Sequence, residues 1–150
     1  MPRDKLSIEI NAECQAVFDV VHDYDRRLRW DCMLSDARLL GGAQRAGRGV
    51  RSVCTGRWTT AYFALETEYV SFDPGRVAAV RLTNAPPLFS RFAASIRHQP
   101  LGENRSLLIY TYSFGARPVW LASVLEPTMS VMLRRETRAR LRALRDYVER

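Results

Sequence analysis

Apolar and polar residues alternate along most of the chain and then change to a helical repeat. Leu6, Ile8 and Ile10 are separated by polar residues, the two-residue period of a strand. Cys14, Val17, Phe18 and Val21 fall at helical spacing, which predicts a helix to about His22 with Asn11 as its N-cap and Glu13 in its first turn. Asp25 is expected to cap a second short helix over residues 26–30. Alternation then returns over residues 33–40, 50–58, 62–72, 76–84, 89–99 and 105–114. These segments are broken by Gly41-Gly42 through Gly49, Asp73-Pro74-Gly75, Pro86-Pro87 and Gly102-Glu103-Asn104. Breaks this short join neighbouring antiparallel strands, so residues 33–114 read as a six-stranded meander.

The alternation also assigns faces. Phe63, Leu65, Thr67 and Tyr69 share one side of their strand, and Glu66 and Glu68 the other. Closing the next hairpin at Asp73-Pro74-Gly75 brings Arg81 opposite Glu66 or Glu68, depending on register. Phe92, Ala94, Ile96 and His98 share an inward face, as do Leu108, Tyr110, Tyr112 and Phe114. From Arg117 onward the period is helical. Leu121, Leu125, Met129, Met132, Leu133, Leu141, Leu144 and Val148 trace an apolar stripe, and Pro127 is expected to kink or divide the helix. A one-sided sheet and one amphipathic helix must bury each other, which gives an α+β fold of about seven strands with residues 1–150 as one domain.

Composition narrows the class. At 150 residues, 47% hydrophobic and 26% charged, the chain suits one packed core and not a disordered segment. The net charge of +7 raises an acidic partner, nucleic acid included. Arginine supplies 22 of the 23 basic residues, Lys5 being the one lysine. Those of the last helix lie among Glu136, Asp146 and Glu149 without interleaved aromatics to stack bases, which argues against nucleic acid. No segment has the length and apolarity of a transmembrane helix or the pattern of a secretory signal. Three scattered cysteines, Cys14, Cys32 and Cys54, fit a reduced, cytoplasmic setting.

The order of strand, two short helices, meander and long helix resembles the helix-grip fold of the START/Bet v 1-like (SRPBCC) superfamily. Residues 16–21, 25–31 and 37–42 look like the opening of its polyketide cyclase/dehydrase-like branch, and residues 66–74 like a hairpin of that group. The resemblance covers residues 5–149. It implies a cavity between sheet and long helix that binds a small hydrophobic ligand, lipid- or polyketide-like; no cofactor is expected.

Residues expected to line such a cavity are Trp30, Trp58, Phe63, Leu65, Val80, Phe92, Ile96, His98, Tyr110, Tyr112, Trp120, Leu125, Met129 and Met132. Trp30 doubles as a structural anchor, and Asp31 reads as a turn partner. A metal site has little support, since His22 and His98 are the only histidines and neither sits in a ligand motif. The glycines before Val50 lack the Lys-Ser/Thr of a phosphate loop, and no GxSxG elbow is present. Catalysis in the cavity, a polyketide cyclisation or dehydration, would draw on His98 or Tyr110 for acid–base work and on Arg57 for an oxyanion. Strand parity around Gly56 leaves open which way Arg57 faces. A third reading is a protein that binds an acidic partner, or a second copy in a weak homodimer, through Arg134, Arg135, Arg138, Arg142 and Arg145.

Overall fold

The structure, a computed structural model, describes residues 2–57 and 64–150. Strand β1 (Arg3–Ile10) leads into helix α1 (Cys14–Val21) and the single turn α2 (Arg27–Trp30). Strands β2 (Leu34–Leu39), β3 (Arg51–Gly56), β4 (Ala64–Asp73), β5 (Val77–Leu82), β6 (Phe89–Gly102) and β7 (Arg105–Ala116) follow. A short 3-10 turn (Val119–Leu121) then opens α3 (Ala122–Val148). All seven strands form one antiparallel sheet in the order β1-β7-β6-β5-β4-β3-β2. This is the helix-grip fold: a curled sheet closed on its concave side by the long helix.

Pairing β1 with β7 puts β1 and β2 at opposite edges, so α1 and α2 must span the width of the sheet between them. That crossing puts the α1–α2 segment against the concave face. Val17, Phe18 and Val21 of α1 are buried there, while α3 contributes buried Met129, Thr137, Leu141 and Leu144. The core between them holds Ile10, Leu108, Tyr112 and Phe114. At the β4–β5 turn Gly75 has φ +79°, a conformation that favours glycine.

Register settles the hairpin. Glu68 pairs with Arg81, and their side chains meet at 3.4 Å on the outer face, while Glu66 turns to Arg51 at 3.2 Å.

Three local expectations are corrected. The N-cap of α1 is Glu13 and not Asn11, whose backbone N–H instead donates to Glu149 at 3.0 Å. Asp23, not Asp25, organises the approach to α2, accepting the Asp25 backbone N–H and pairing with Arg26 at 2.7 Å. Pro127, in the second turn of α3, does not divide the helix. As the sixth residue of α3, Pro127 forgoes one backbone hydrogen bond, that to the Ser123 carbonyl, without ending the helix.

Candidate functional site

A cavity of about 140 Å³ lies between the concave sheet and α3. Alternate residues of four strands supply its apolar walls: Leu65 of β4, Val80 of β5, Phe92, Ala94 and Ile96 of β6, and Tyr110 of β7. Met132 and Leu133 of α3 close it. The two-residue period that sends Glu66 and Glu68 outward sends Leu65, Thr67 and Tyr69 to this side.

One part of the wall is polar. Arg27 and Arg140 both line the cavity and share Asp31, whose side chain is wholly buried behind them. The Nε of Arg27 donates to Asp31 Oδ2 at 2.9 Å, and the Nε of Arg140 lies 3.1 Å from the same oxygen. Asp31 Oδ1 accepts the Met33 backbone N–H at 3.2 Å, the turn role expected of it. Burial alone would raise the Asp31 pKa, but the Arg140 and Arg27 guanidiniums outweigh it and hold the carboxyl low. Burial likewise opposes the charge on each arginine, and Asp31 reverses that, keeping both protonated. Arg27 also lies over the Trp30 ring, 5.0 Å from its centroid.

Next to Arg27 runs a chain of hydrogen bonds. His22 Nδ1 is 2.8 Å from the Tyr69 hydroxyl, which is 3.0 Å from that of Tyr24. Tyr24 donates to Ser52 at 3.2 Å, and Ser52 lies 3.2 Å from Thr67. Each hydroxyl has one proton, so with Tyr24 donating to Ser52 the chain runs from His22 through Tyr69 and Tyr24 to Ser52 and Thr67. Burial, helped by Arg27 and His98, pushes the His22 pKa down to about 3, so its imidazole is neutral at neutral pH. Burial also raises the pKa of Tyr69, Tyr24 and Tyr110, and all three remain phenols. Among the described residues no group of three His, Cys, Asp or Glu side chains is placed to hold a metal ion.

The residues singled out from sequence divide by position. Leu65, Val80, Phe92, Ile96, Tyr110 and Met132 stand around the cavity. Trp58 and Phe63 lie outside the described residues. His98 shares the inward face of β6 with Phe92 and Ile96, but α1 covers that end of the strand. Its ring packs 5.5 Å from Phe18, away from the cavity. Tyr112 stacks on Phe92 at 6.3 Å, and its hydroxyl turns to Asp4 of β1 at 3.4 Å, so it too is outside. Trp30 is core, buried beneath Arg27. Leu125 and Met129 pack into the core one or two turns before the cavity begins at Met132.

Two positions are corrections outright. Trp120 is 78% exposed on the turn before α3, beyond the sheet's reach. Arg57 is exposed, because Ser52, Cys54 and Gly56 take the inward positions of β3 and leave the odd-numbered ones outside.

The arginines and the tyrosine–histidine chain were missed, and for both arginines a signal existed. Arg140 falls on the apolar stripe, seven residues after Leu133 and four before Leu144, where a solvated arginine does not belong. Arg27 and Asp31 stand four apart, the spacing of a helical ion pair.

The profile of one family, described as polyketide cyclase / dehydrase and lipid transport, matches residues 1–149. The chain belongs to this family. Among solved structures it is similar to the Zhui aromatase/cyclase from Streptomyces sp. R1128, with TM-score 0.82 and 18% identity over 99% of this chain and 94% of that one. A START superfamily protein from Mycobacterium smegmatis matches with TM-score 0.72 and 14% identity, over 98% and 97% of the two chains. The di-domain aromatase/cyclase BexL of the BE-7585A biosynthetic pathway matches with TM-score 0.75 and 12% identity. This chain covers 47% of its length, about half. At these identities the likeness concerns the fold. No curated protein matches the chain by sequence. No helix among the described residues is long and apolar enough to cross a membrane.

Proposed function

We propose that this member of the polyketide cyclase/dehydrase and lipid transport family binds one small, mainly apolar molecule in the cavity between the sheet and α3. The observation that carries the reading is the cavity itself, apolar on most of its surface with the Arg27–Asp31–Arg140 cluster on one side. A packed interior normally leaves few voids larger than a water molecule, and a cavity with a few convergent polar groups is the usual form of a small-molecule site. Other proteins' apolar cavities of about 150 Å³ take up a benzene ring, so the size fits a molecule of about one ring.

Binding accounts for the groups present better than catalysis does. A general base works best with a pKa near the operating pH. His22, held at about 3, accepts a proton poorly, and Tyr110, Tyr69 and Tyr24 are phenols that donate. A second reading, polyketide-type cyclisation or dehydration, draws on the Tyr110 phenol and the Arg140 guanidinium as donors to a developing oxyanion. Of the three groups first considered for chemistry, only Tyr110 borders the cavity.

Native mass spectrometry of the purified chain, followed by extraction and a thermal-shift panel of one-ring apolar compounds, tests the first reading. A retained small molecule, or a Tm rise with members of the panel, supports it. A chain that retains nothing and responds to no compound contradicts it.

A further inference from the structure

Asp31 does not use up the two guanidiniums that share it. A guanidinium carries five N–H donors in a rigid plane. Asp31 takes the Nε of both, and the Val21 carbonyl accepts Arg27 Nη1 at 3.3 Å. Among the described residues, neither Nη group of Arg140 nor Nη2 of Arg27 has an acceptor, although both side chains border the cavity. Tyr110 borders the same space, and its phenol lies within electrostatic reach of Arg140 and Arg27. The wall therefore presents donors in excess, held in place from behind by a buried carboxylate.

The chemistry of that wall selects a ligand group. A ketone oxygen offers two lone pairs, whereas a carboxylate offers about four acceptor sites in the plane that a guanidinium fork matches. Anchoring by Asp31 fixes the forks before a ligand arrives, which lowers the ordering cost of binding. Glu136 also borders the cavity, so Arg27 and Arg140 are matched in number by Asp31 and Glu136. Selection accordingly rests on the unfilled donors and not on excess positive charge. Opposite them, Leu65, Val80, Ala94 and Ile96 offer only hydrocarbon.

Building on the ligand-binding reading, we propose that the cavity is a site for a single-ring carboxylate. Its carboxylate is received by Arg140, Arg27 and Tyr110, and its ring lies against β4, β5 and β6.

Calorimetric titration of the full chain at neutral pH with 4-methylbenzoate and its neutral counterpart 4-methylbenzamide tests this. The acid is expected to bind at least tenfold more tightly than the amide. Arg140→Lys, which keeps a charge for Asp31 but loses the fork, should weaken the acid tenfold or more and leave the amide nearly unchanged. Tyr110→Phe should weaken it severalfold, and it decides the matter if Arg140→Lys does not fold. Ala94→Leu, which fills the cavity, should abolish both. Equal binding of acid and amide, acid binding indifferent to both donor variants, or binding that survives Ala94→Leu overturns the carboxylate site. Equal binding that Ala94→Leu abolishes leaves the cavity reading standing. If neither probe binds, the carboxylate site falls, and the cavity reading falls with it only if the chain also retains no molecule and responds to no compound of the panel.

Discussion

Arg140 reaches Asp31 across 109 positions of sequence, its Nε 3.1 Å from Oδ2, and so ties α3 to the turn after α2. Because Asp31 is also bound by Arg27, one buried carboxylate fixes the polar wall of the cavity and the packing of the long helix together. Fold stability and site geometry are coupled through this residue.

Replacing Asp31 with Asn removes the countercharge and leaves two partly buried guanidiniums without it. Breaking a buried pair from one side costs about 3–5 kcal/mol. Urea denaturation of Asp31→Asn should show a loss of that order. A change below about 1 kcal/mol would mean that the cluster is solvated and does not hold α3.

Acid should destabilise the protein through its two histidines. Burial lowers the His98 pKa from 6.5 to about 4 and the His22 pKa to about 3. The unfolded chain takes up these protons near pH 6.5, so the stabilising effect is complete above that value. It is lost as pH falls toward the folded-state values. Between pH 7.5 and 4.5 His98 alone accounts for about 2–3 kcal/mol. Urea midpoints at the two pH values should fall less for His98→Leu than for the unmodified chain. An identical fall would remove His98 from the account.

Filling the cavity should stabilise the fold while closing the site. Ala94 is buried and borders the open space. Ala94→Leu places hydrocarbon where there is none and should raise stability by about 0.5–2 kcal/mol in thermal denaturation. A loss of more than about 1 kcal/mol would signal overpacking, and hence that the space is not open.

Trp120 is expected to contribute neither to the fold nor to the cavity. With 78% of its surface exposed, Trp120→Ser should change unfolding free energy by less than about 0.5 kcal/mol and leave probe binding intact.

Much of the scaffold was legible because strand alternation is local. The faces of Glu66, Glu68 and Arg81 followed from a two-residue period, and the turn at Gly75 fixed which strands meet. The same logic brought Leu65, Val80, Ile96 and Tyr110 to one side. It failed where position along an inward face matters. His98 and Tyr112 face inward as expected, yet Phe18 caps one and Phe92 with Asp4 engages the other. Alternation gives the side of the sheet but not what lies over each end of it. The Asp31–Arg140 pair was hidden for another reason. Arg140 sits in an arginine-rich helix whose other members face solvent or pair at the surface, as Arg134 does with Asp4. Only its place on the apolar stripe distinguishes it.

The cavity between sheet and helix is proposed to take up a small apolar molecule. Methyl NMR of the full chain titrated with p-cresol measures this directly. Saturable shifts are expected at Leu65, Val80, Ile96 and Met132, with exposed Val119, Val124 and Val131 unmoved. Shifts confined to those surface valines, or no saturable shift at all, would contradict it.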